Sequence, residues 1–366
     1  MLQEIIPLVR TLLPPKEELM PALEKILYSG YVAEGETVKE FENQFGNYMG
    51  NHRVLSLNSG TAALHVALIL AGVKQGDEVI STVITAEPTN VAILQTGAKI
   101  VWADVDYNTG VLSVPDIEKK ITSKTKAIMV VHYAGIPADI GALQQLSKKY
   151  NIPVIEDAAH ALGAKYKGEF IGTHSPFVIF SLQAIKHMTT VDGGMLAVAD
   201  DYNFKQGRLV RWFGIDKNIP RMDNSISVLG YKYHMNNVNA TIGLVQLKHL
   251  EDTISKYISN GKYFDKALTG ISGLDLCNYY EGSEPSYWLY TMKVDKRDAF
   301  IKLLEAHKIM ASPLHLRNDR HAIFKPFESS LPNVDKFYEK MVHIPCGWWV
   351  TNEHREYITE VIKKGW

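Results

Sequence analysis

Between about Asn51 and Asp200 short apolar runs alternate with stretches of helical length, and this alternation limits the possible folds more than any other feature of the chain. Val54 to Leu57, Glu78-Val-Ile-Ser81, Lys99-Ile-Val-Trp102, Ala127-Ile-Met-Val-Val131 and Ile152 to Ile155 have strand length and the apolar character of strands buried on both faces. Strands joined through helices pair in parallel within one sheet. The expected fold class is α/β, a large domain with a mostly parallel central sheet. Ahead of it, Pro15 to Tyr28 reads as a helix with Leu19, Leu23, Ile26 and Leu27 on one face, bent or shortened by Pro21. Beyond it, Asn239 to Tyr257 reads as one long linking helix, with Leu244, Leu247, Leu250, Ile254 and Tyr257 at helical spacing. A smaller C-terminal α/β domain follows: a strand from Tyr287 to Val294, a helix from Asp298 to His307, and a last helix from Thr351 to Lys364. The expected division is 1–245 and 246–366.

Open parallel sheets bind ligands at the carboxyl ends of their strands, and residues with suitable chemistry are found there. Asn58-Ser-Gly-Thr61 follows the first strand and precedes the apolar helical run Ala62 to Ala71, which Gly72 ends. Free N–H groups at a helix N-terminus suit a phosphate, and an ordinary capped helix is the other reading. Asp157 closes the strand that begins at Ile152. It either caps a helix starting at Ala158 or lies against a pyridine nitrogen, keeping that nitrogen protonated so that the ring becomes an electron sink. His160 either contacts the phenolic oxygen of such a cofactor or is a satisfied structural histidine. Lys186 stands in a polar loop between an apolar strand, Pro176 to Leu182, and a second strand that Gly193-Gly194 opens and that runs through Ala199. A lone loop lysine is ordinarily a solvated charge, yet an amine offered from a turn can hold an aldehyde as a Schiff base. Ser181, five residues earlier, adds a hydroxyl for the phosphate. Phosphate cradle, carboxylate and lysine in that chain order together specify pyridoxal phosphate (PLP).

The sequence resembles the DegT/StrS family of nucleotide-sugar aminotransferases, which are fold-type I PLP enzymes of aspartate aminotransferase-like architecture. The resemblance is carried by Ser29-Gly-Tyr-Val-Ala-Glu-Gly35, Asn58-Ser-Gly-Thr-Ala-Ala63, Gly76-Asp-Glu-Val79, Thr96-Gly-Ala98, Glu156-Asp-Ala-Ala-His160 with Gly163, Ser181 with Lys186 and Asp192-Gly-Gly194, and Gly230-Tyr-Lys-Tyr-His-Met-Asn236. It runs over almost the whole chain. It implies that Lys186 is catalytic through a Schiff base, that Asp157 pairs with the pyridinium, that His160 contacts the ring oxygen, and that Gly60, Thr61 and Ser181 bind the phosphate. It further implies that Lys232, at a position usually asparagine, reaches the phosphate of a neighbouring subunit, so that a homodimer shares its active sites. The substrates so implied are an amino donor, L-glutamate by the family resemblance, and a keto sugar of the 4-keto-6-deoxy type linked to a nucleotide. The resemblance places such enzymes in polysaccharide biosynthesis.

Three departures accompany it. The aromatic residue that commonly stacks on the cofactor falls near Ala86, and Thr85-Ala-Glu-Pro-Thr89 contains none. Val191 stands where glycine is usual. His187 adjoins Lys186, and relatives with histidine in place of the lysine are sugar dehydratases, so register matters. Counting from Ser181 and from Gly193-Gly194 gives the position to Lys186 and hence a transaminase. A dehydratase, or a non-catalytic regulator on the same scaffold, is the alternative.

His315-Leu-Arg-Asn-Asp-Arg-His321 is dense in imidazole and guanidinium groups. His315 falls near the active site in relatives, and Arg317 or Arg320 either holds a carboxylate or diphosphate or lies solvated on the surface. Trp348-Trp349 reads as packing ahead of sugar stacking. No strand is followed by G-x-G-x-x-G, and no H-E-x-x-H occurs, so neither a nucleotide-cofactor oxidoreductase nor a metal hydrolase is expected. Cys277 and Cys346 form neither a metal motif nor a disulfide framework. A net charge of −1 gives no reason to expect nucleic acid or an anionic membrane as partner. No apolar stretch approaches the ~18 residues of a membrane span, and the N-terminal residues lack a signal-peptide core. The cytoplasm is the expected location.

Overall fold

The computed structural model describes residues 4–366. Its centre is a seven-stranded sheet made of β1 (Val54–Leu57), β2 (Glu78–Ser81), β3 (Lys99–Trp102), β4 (Thr125–Val131), β5 (Val154–Asp157), β6 (Phe177–Ser181) and β7 (Gly194–Val198), in the spatial order β1-β7-β6-β5-β4-β2-β3. The pairs β2–β3, β2–β4, β4–β5 and β5–β6 are parallel, whereas β7 is antiparallel to both neighbours. The expected α/β class with a mostly parallel sheet is therefore the observed one. The direction of β7 follows from its connection: the loop from Ser181 to Gly194 holds no helix to carry the chain back across a sheet face.

This topology gathers the chemistry at one edge. The carboxyl ends of β1, β5 and β6 lead into the Asn58–Gly60 turn, Asp157 and the Lys186 loop. Two glycines permit the close approach. A Cβ on Gly60 would meet the Ser181 side chain at 3.0 Å, and one on Gly194 would lie 2.4 Å from the Ser59 carbonyl oxygen. Asp157 caps no helix, because residues after it form turns; its Oδ1 instead accepts from the Ala159 N–H at 3.1 Å.

The long linking helix is two helices, Asn237–Leu247 and Leu250–Ala267. The first starts earlier than its apolar spacing suggests because the Asn236 side chain caps it by accepting from the Asn239 N–H. The break at Lys248–His249 lets the two pieces face different partners: Gly243 packs on the Phe41 ring, while Ile254 and Gly261 pack on Gly163 and the Tyr287 ring. Pro21 does not interrupt the N-terminal helix, Lys16–Leu27, and of its expected apolar face Leu19 and Leu23 pack on Ile242 and Val245.

A second, antiparallel sheet joins Leu274–Leu276, Tyr290–Val294 and Met341–Ile344, flanked by helices Arg297–Ala306, Pro332–Lys340 and Asn352–Lys363. Thr351 caps the last of these as expected. We propose the boundary between the two units at 245/246, beside the helix break. The N-terminal segment nevertheless packs on the C-terminal unit: the Ile6 N–H donates to Lys308 O at 2.9 Å, Met310 returns a bond to Ile6 O, and Trp349 Nε1 donates to Pro7 O. Within that unit a carboxylate holds the helix Leu250–Ala267 to the segment that follows, since Asp265 accepts from the hydroxyls of Tyr279, Tyr287 and Tyr290 at 2.9, 2.7 and 2.9 Å.

The loop after Lys186 carries local strain. Val191, a β-branched residue, has φ +73° and is 53% exposed. Asn239 pins the loop by donating to the carbonyls of Thr190 and Asp192.

Val191→Gly should raise stability by about 1 kcal/mol, since relief of left-handed strain exceeds the extra chain entropy at an exposed site; thermal unfolding of the two proteins checks the sign. Asp265→Ala should cost about 3 kcal/mol in urea unfolding, because three buried hydroxyls lose a charged acceptor, and Asp265→Asn should cost less.

Candidate active site

A cavity of about 340 Å³ opens at the carboxyl edge of the sheet, between the turn at 59–61, the segment 85–89, the ends of β5 and β6, the Lys186 loop and His315. Of the residues singled out in the sequence, Gly60, Thr61, Asp157, His160, Ser181, Lys186 and His315 all line it. Lys232 and Arg317 do not. A smaller hollow of about 130 Å³ beside Trp212 is lined in part by paired charges, Arg211 with Glu34 and Glu42 and Lys217 with Glu34.

Lys186 is partly open to the cavity and otherwise enclosed. Its Nζ lies 4.1 Å from the Trp288 ring centroid, and Trp288 Nε1 donates to Ile185 O at 2.9 Å, so one indole supports both the amine and the loop that carries it. Burial lowers the Lys186 amine to about 7, and the negative charge of Asp157 limits the fall. His187 points elsewhere: its Nε2–H donates to Ser286 O at 3.1 Å, its ring meets Tyr257 edge-on, and burial lowers it to about 4. The register of the loop therefore gives the cavity an amine and not an imidazole.

Asp157 is buried at the end of β5. Burial raises its pKa, while donation from Thr89 Oγ1 at 2.7 Å, the Ala159 N–H, and the positive fields of Lys186 and His132 act in the opposite direction. His160 accepts the Ala134 N–H on Nδ1 at 3.3 Å, which leaves the proton of its neutral ring on Nε2. Burial, then the nearby Lys186 charge, holds this imidazole well below its usual range. That Nε2 is buried and has no partner among the described residues, and the ring stacks on Trp288 at 3.9 Å. His315 likewise presents an unpartnered buried Nε2, and burial with Lys186 lowers it to about 4.

These features fit a phosphorylated pyridine aldehyde. The helix Gly60–Leu70 begins at the cavity with its free N–H groups, Ser59 occupying the cap by accepting from the Ala62 N–H, and a Cβ at 60 would lie 3.2 Å from the Ser181 hydroxyl oxygen. His160 offers a donor without an acceptor, Asp157 an anion, and Lys186 an amine. No phenyl or indole ring lines the cavity among the described residues, and Thr85, Ala86, Glu87, Pro88 and Thr89 form the wall where a stacking ring was expected.

Arg317 and Lys232 lie outside the cavity. Arg317 is buried, with Nε and Nη2 forked onto Asp319 at 2.8 and 2.6 Å and Nη1 on Asp335. Its charge is compensated within the chain; Arg320 is exposed over Tyr338. Lys232 is exposed, and its carbonyl accepts from Asn58 Nδ2 at 3.2 Å, which ties its backbone to the phosphate turn while its side chain stays outside the cavity. Sequence reasoning missed Thr89 and Trp288. The i, i+4 threonine pair Thr85–Thr89 at a helix start was a visible signal; nothing links Trp288 to a lysine 102 residues earlier.

The same architecture is found in solved structures. AtS13 from Actinomadura melliaura is 38% identical with a TM-score of 0.96, covering 100% of both chains. The sugar aminotransferase CalS13 from Micromonospora echinospora is 36% identical with a TM-score of 0.95, covering 99% of this chain and 100% of its own. Spr1654 from Streptococcus pneumoniae, a putative sugar aminotransferase by its description, solved in PLP and PMP forms, is 27% identical, with a TM-score of 0.89 and 98% coverage of both chains for the PLP form. The model of the DegT/DnrJ/EryC1/StrS aminotransferase family matches residues 15–363, and with the amine, carboxylate and anion cradle in one cavity the chain belongs to that family of PLP-dependent aminotransferases.

Proposed function

We propose that this enzyme moves an amino group from an amino acid, L-glutamate as the expected donor, to the keto group of a nucleotide-linked sugar of the 4-keto-6-deoxy type. The observation that carries the reading is Lys186: its amine borders the cavity near neutrality, with Asp157 within its field and His187 turned away. A lysine in that place supports amino transfer over the dehydratase chemistry of histidine-bearing relatives. Similarity to CalS13, described as a sugar aminotransferase, supports the sugar as acceptor.

PLP, when bound, supplies an aldehyde that takes up the amino group and a ring that stores the electron pair released at the donor carbon. The N–H groups at Gly60 and Thr61 and the Ser181 hydroxyl would hold its phosphate. Asp157 would keep the proton on the ring nitrogen, and the His160 Nε2–H would donate to the ring oxygen. The Lys186 amine would hold the aldehyde in the resting enzyme and, when free, would serve as the base that takes up and delivers a proton in each half of the exchange. An amine near neutrality suits both duties. His315, neutral and unpartnered at the cavity wall, is the substrate-facing donor. Arg317 has no part in the proposal.

The assembly we propose is a homodimer with shared sites. The stretch 213–229 exposes Phe213, Met222, Ile226 and Leu229, and 27–31 exposes Leu27, Tyr28 and Tyr31, apolar surface of the kind that marks association. Lys232, next to the first stretch, would then reach the partner's phosphate as a point charge. No helix among the described residues is long and apolar enough to cross a membrane, and the cytoplasm is the proposed location.

The purified enzyme should absorb near the visible edge, bleach on adding glutamate, and aminate the keto sugar; Lys186→Ala should lack both the absorbance and turnover, and a colourless wild-type protein that takes up no PLP would end the reading. The rate at which apoprotein acquires this absorbance should rise with pH and level off above about 7, because the neutral amine reacts and its folded-state value lies there; a rate still climbing at pH 9 would contradict it. Lys232→Ala should weaken PLP retention by about tenfold while leaving the dimer intact; unchanged retention in a dimer would remove the cross-subunit contact.

A further inference from the structure

We infer that Thr89, oriented by Thr85, is a positioning residue that holds Asp157 ionised and correctly turned toward the cofactor ring nitrogen. The inference rests on the reading that Asp157 serves that nitrogen, and it adds the device that fixes the carboxylate.

The polarity of the contact is determined. An ionised carboxylate only accepts, so at 2.7 Å Thr89 Oγ1 must be the donor to Asp157 Oδ2. A hydroxyl has one proton, so the 2.8 Å contact between Thr85 Oγ1 and Thr89 Oγ1 is donated by Thr85. The chain Thr85 to Thr89 to Asp157 thus runs in a single direction. The Ala159 N–H donates to the other oxygen, Oδ1, so each carboxylate oxygen has one fixed donor and the plane of the group is set from two sides.

The donors are themselves immobilised. Thr85 and Thr89 are each 2% exposed, and Thr89 lies in the first turn of the helix Glu87–Gln95. Asn318 Nδ2 donates to Thr85 O at 2.9 Å, its N–H donates to Val83 O at 3.0 Å, and its Oδ1 accepts from Asn90 Nδ2 at 2.7 Å. Asn90 also donates to Thr82 O. The relay is therefore bolted to the segment that bears His315, three residues before Asn318, so the cofactor end and the substrate end of the cavity share one support.

The charged groups facing Asp157 are Lys186 from the β6–β7 loop and His132 from the end of β4, the latter paired with Glu156 at 2.9 Å. Both favour the carboxylate, against the opposing effect of burial. A proton shared between a ring nitrogen and a carboxylate stays on nitrogen only while the carboxylate is the weaker base. Removing the Thr89 hydroxyl strengthens that base. The proton then moves from nitrogen to oxygen, and the ring loses part of its electron-withdrawing power.

The test uses PLP-loaded enzyme and the variants Thr89→Val, Thr89→Ser and Thr85→Val. In Thr89→Val the pH midpoint of the visible absorbance should move upward by about half a unit or more, since a ring with less positive charge withdraws less from the nitrogen bonded to Lys186, and turnover should fall on the order of tenfold. Thr89→Ser should restore both. Thr85→Val should produce a smaller shift of the same sign, and it answers the question if Thr89→Val does not fold. A wild-type midpoint and turnover in Thr89→Val, no shift in Thr85→Val, or a serine variant that behaves like the valine one would overturn the role of Thr89 alone, with the function intact. Absence of the visible absorbance from wild-type enzyme would overturn the PLP reading itself, and this inference with it.

Discussion

The opposition of Lys186 and Asp157, both largely enclosed at one cavity, is the interaction on which the remaining structure depends. Burial drives the amine toward neutrality and the carboxylate toward protonation, and each group's field resists the change in the other. Left to burial alone, the cavity would hold a neutral amine and a neutral acid. Left to mutual attraction alone, it would hold a closed ion pair with no free amine. The surroundings are arranged between these limits. Thr89 and the Ala159 N–H favour the anion, and Trp288 offers its ring face to the amine. Nearby, His160, His187, His315 and His343 are each lowered by burial, so that none of these four competes as a cation with Lys186 for Asp157.

The parallel sheet makes that arrangement possible because it sends several strand ends to the same place. β5 delivers Asp157 and β6 delivers Ser181, while the helix after β1 delivers Gly60 and Thr61. None of these needs a long loop. Lys186 does come from a loop, but a braced one: Trp288 bonds to Ile185 on one side of the lysine, and Asn239 holds Thr190 and Asp192 on the other. Strain at Val191 is tolerated within that bracing. A flexible side chain thereby starts from a fixed base.

Much of this could be read from the chain, for reasons that differ from residue to residue. Asp157, Ser181 and the turn at 58–61 were legible because each directly follows a buried apolar strand, so the local pattern already fixes their position at the sheet edge. Lys186 was legible through its spacing from Ser181 and from Gly193-Gly194. The ion pairs of Arg317 were not legible, because an isolated guanidinium looks available although Asp319 two residues later folds back onto it in a fork. Trp288 and Asn318 could not be found, since their partners lie far away in sequence and no periodicity marks them. The break between Leu247 and Leu250 was hidden for a related reason: apolar spacing records which positions are buried, but not against what, and here two successive helices share one phase while packing on different neighbours.

The pairing of Ile6 with Ile309 bears on how the polypeptide is made. During synthesis the amino-terminal residues leave the ribosome long before the segment at 308–310 exists, so Ile6 and Leu8 must wait, apolar and uncovered, while the central sheet assembles. Only after the segment at 308–310 has emerged can Ile6 be enclosed by it, so this contact ties together two parts of the chain made far apart in time.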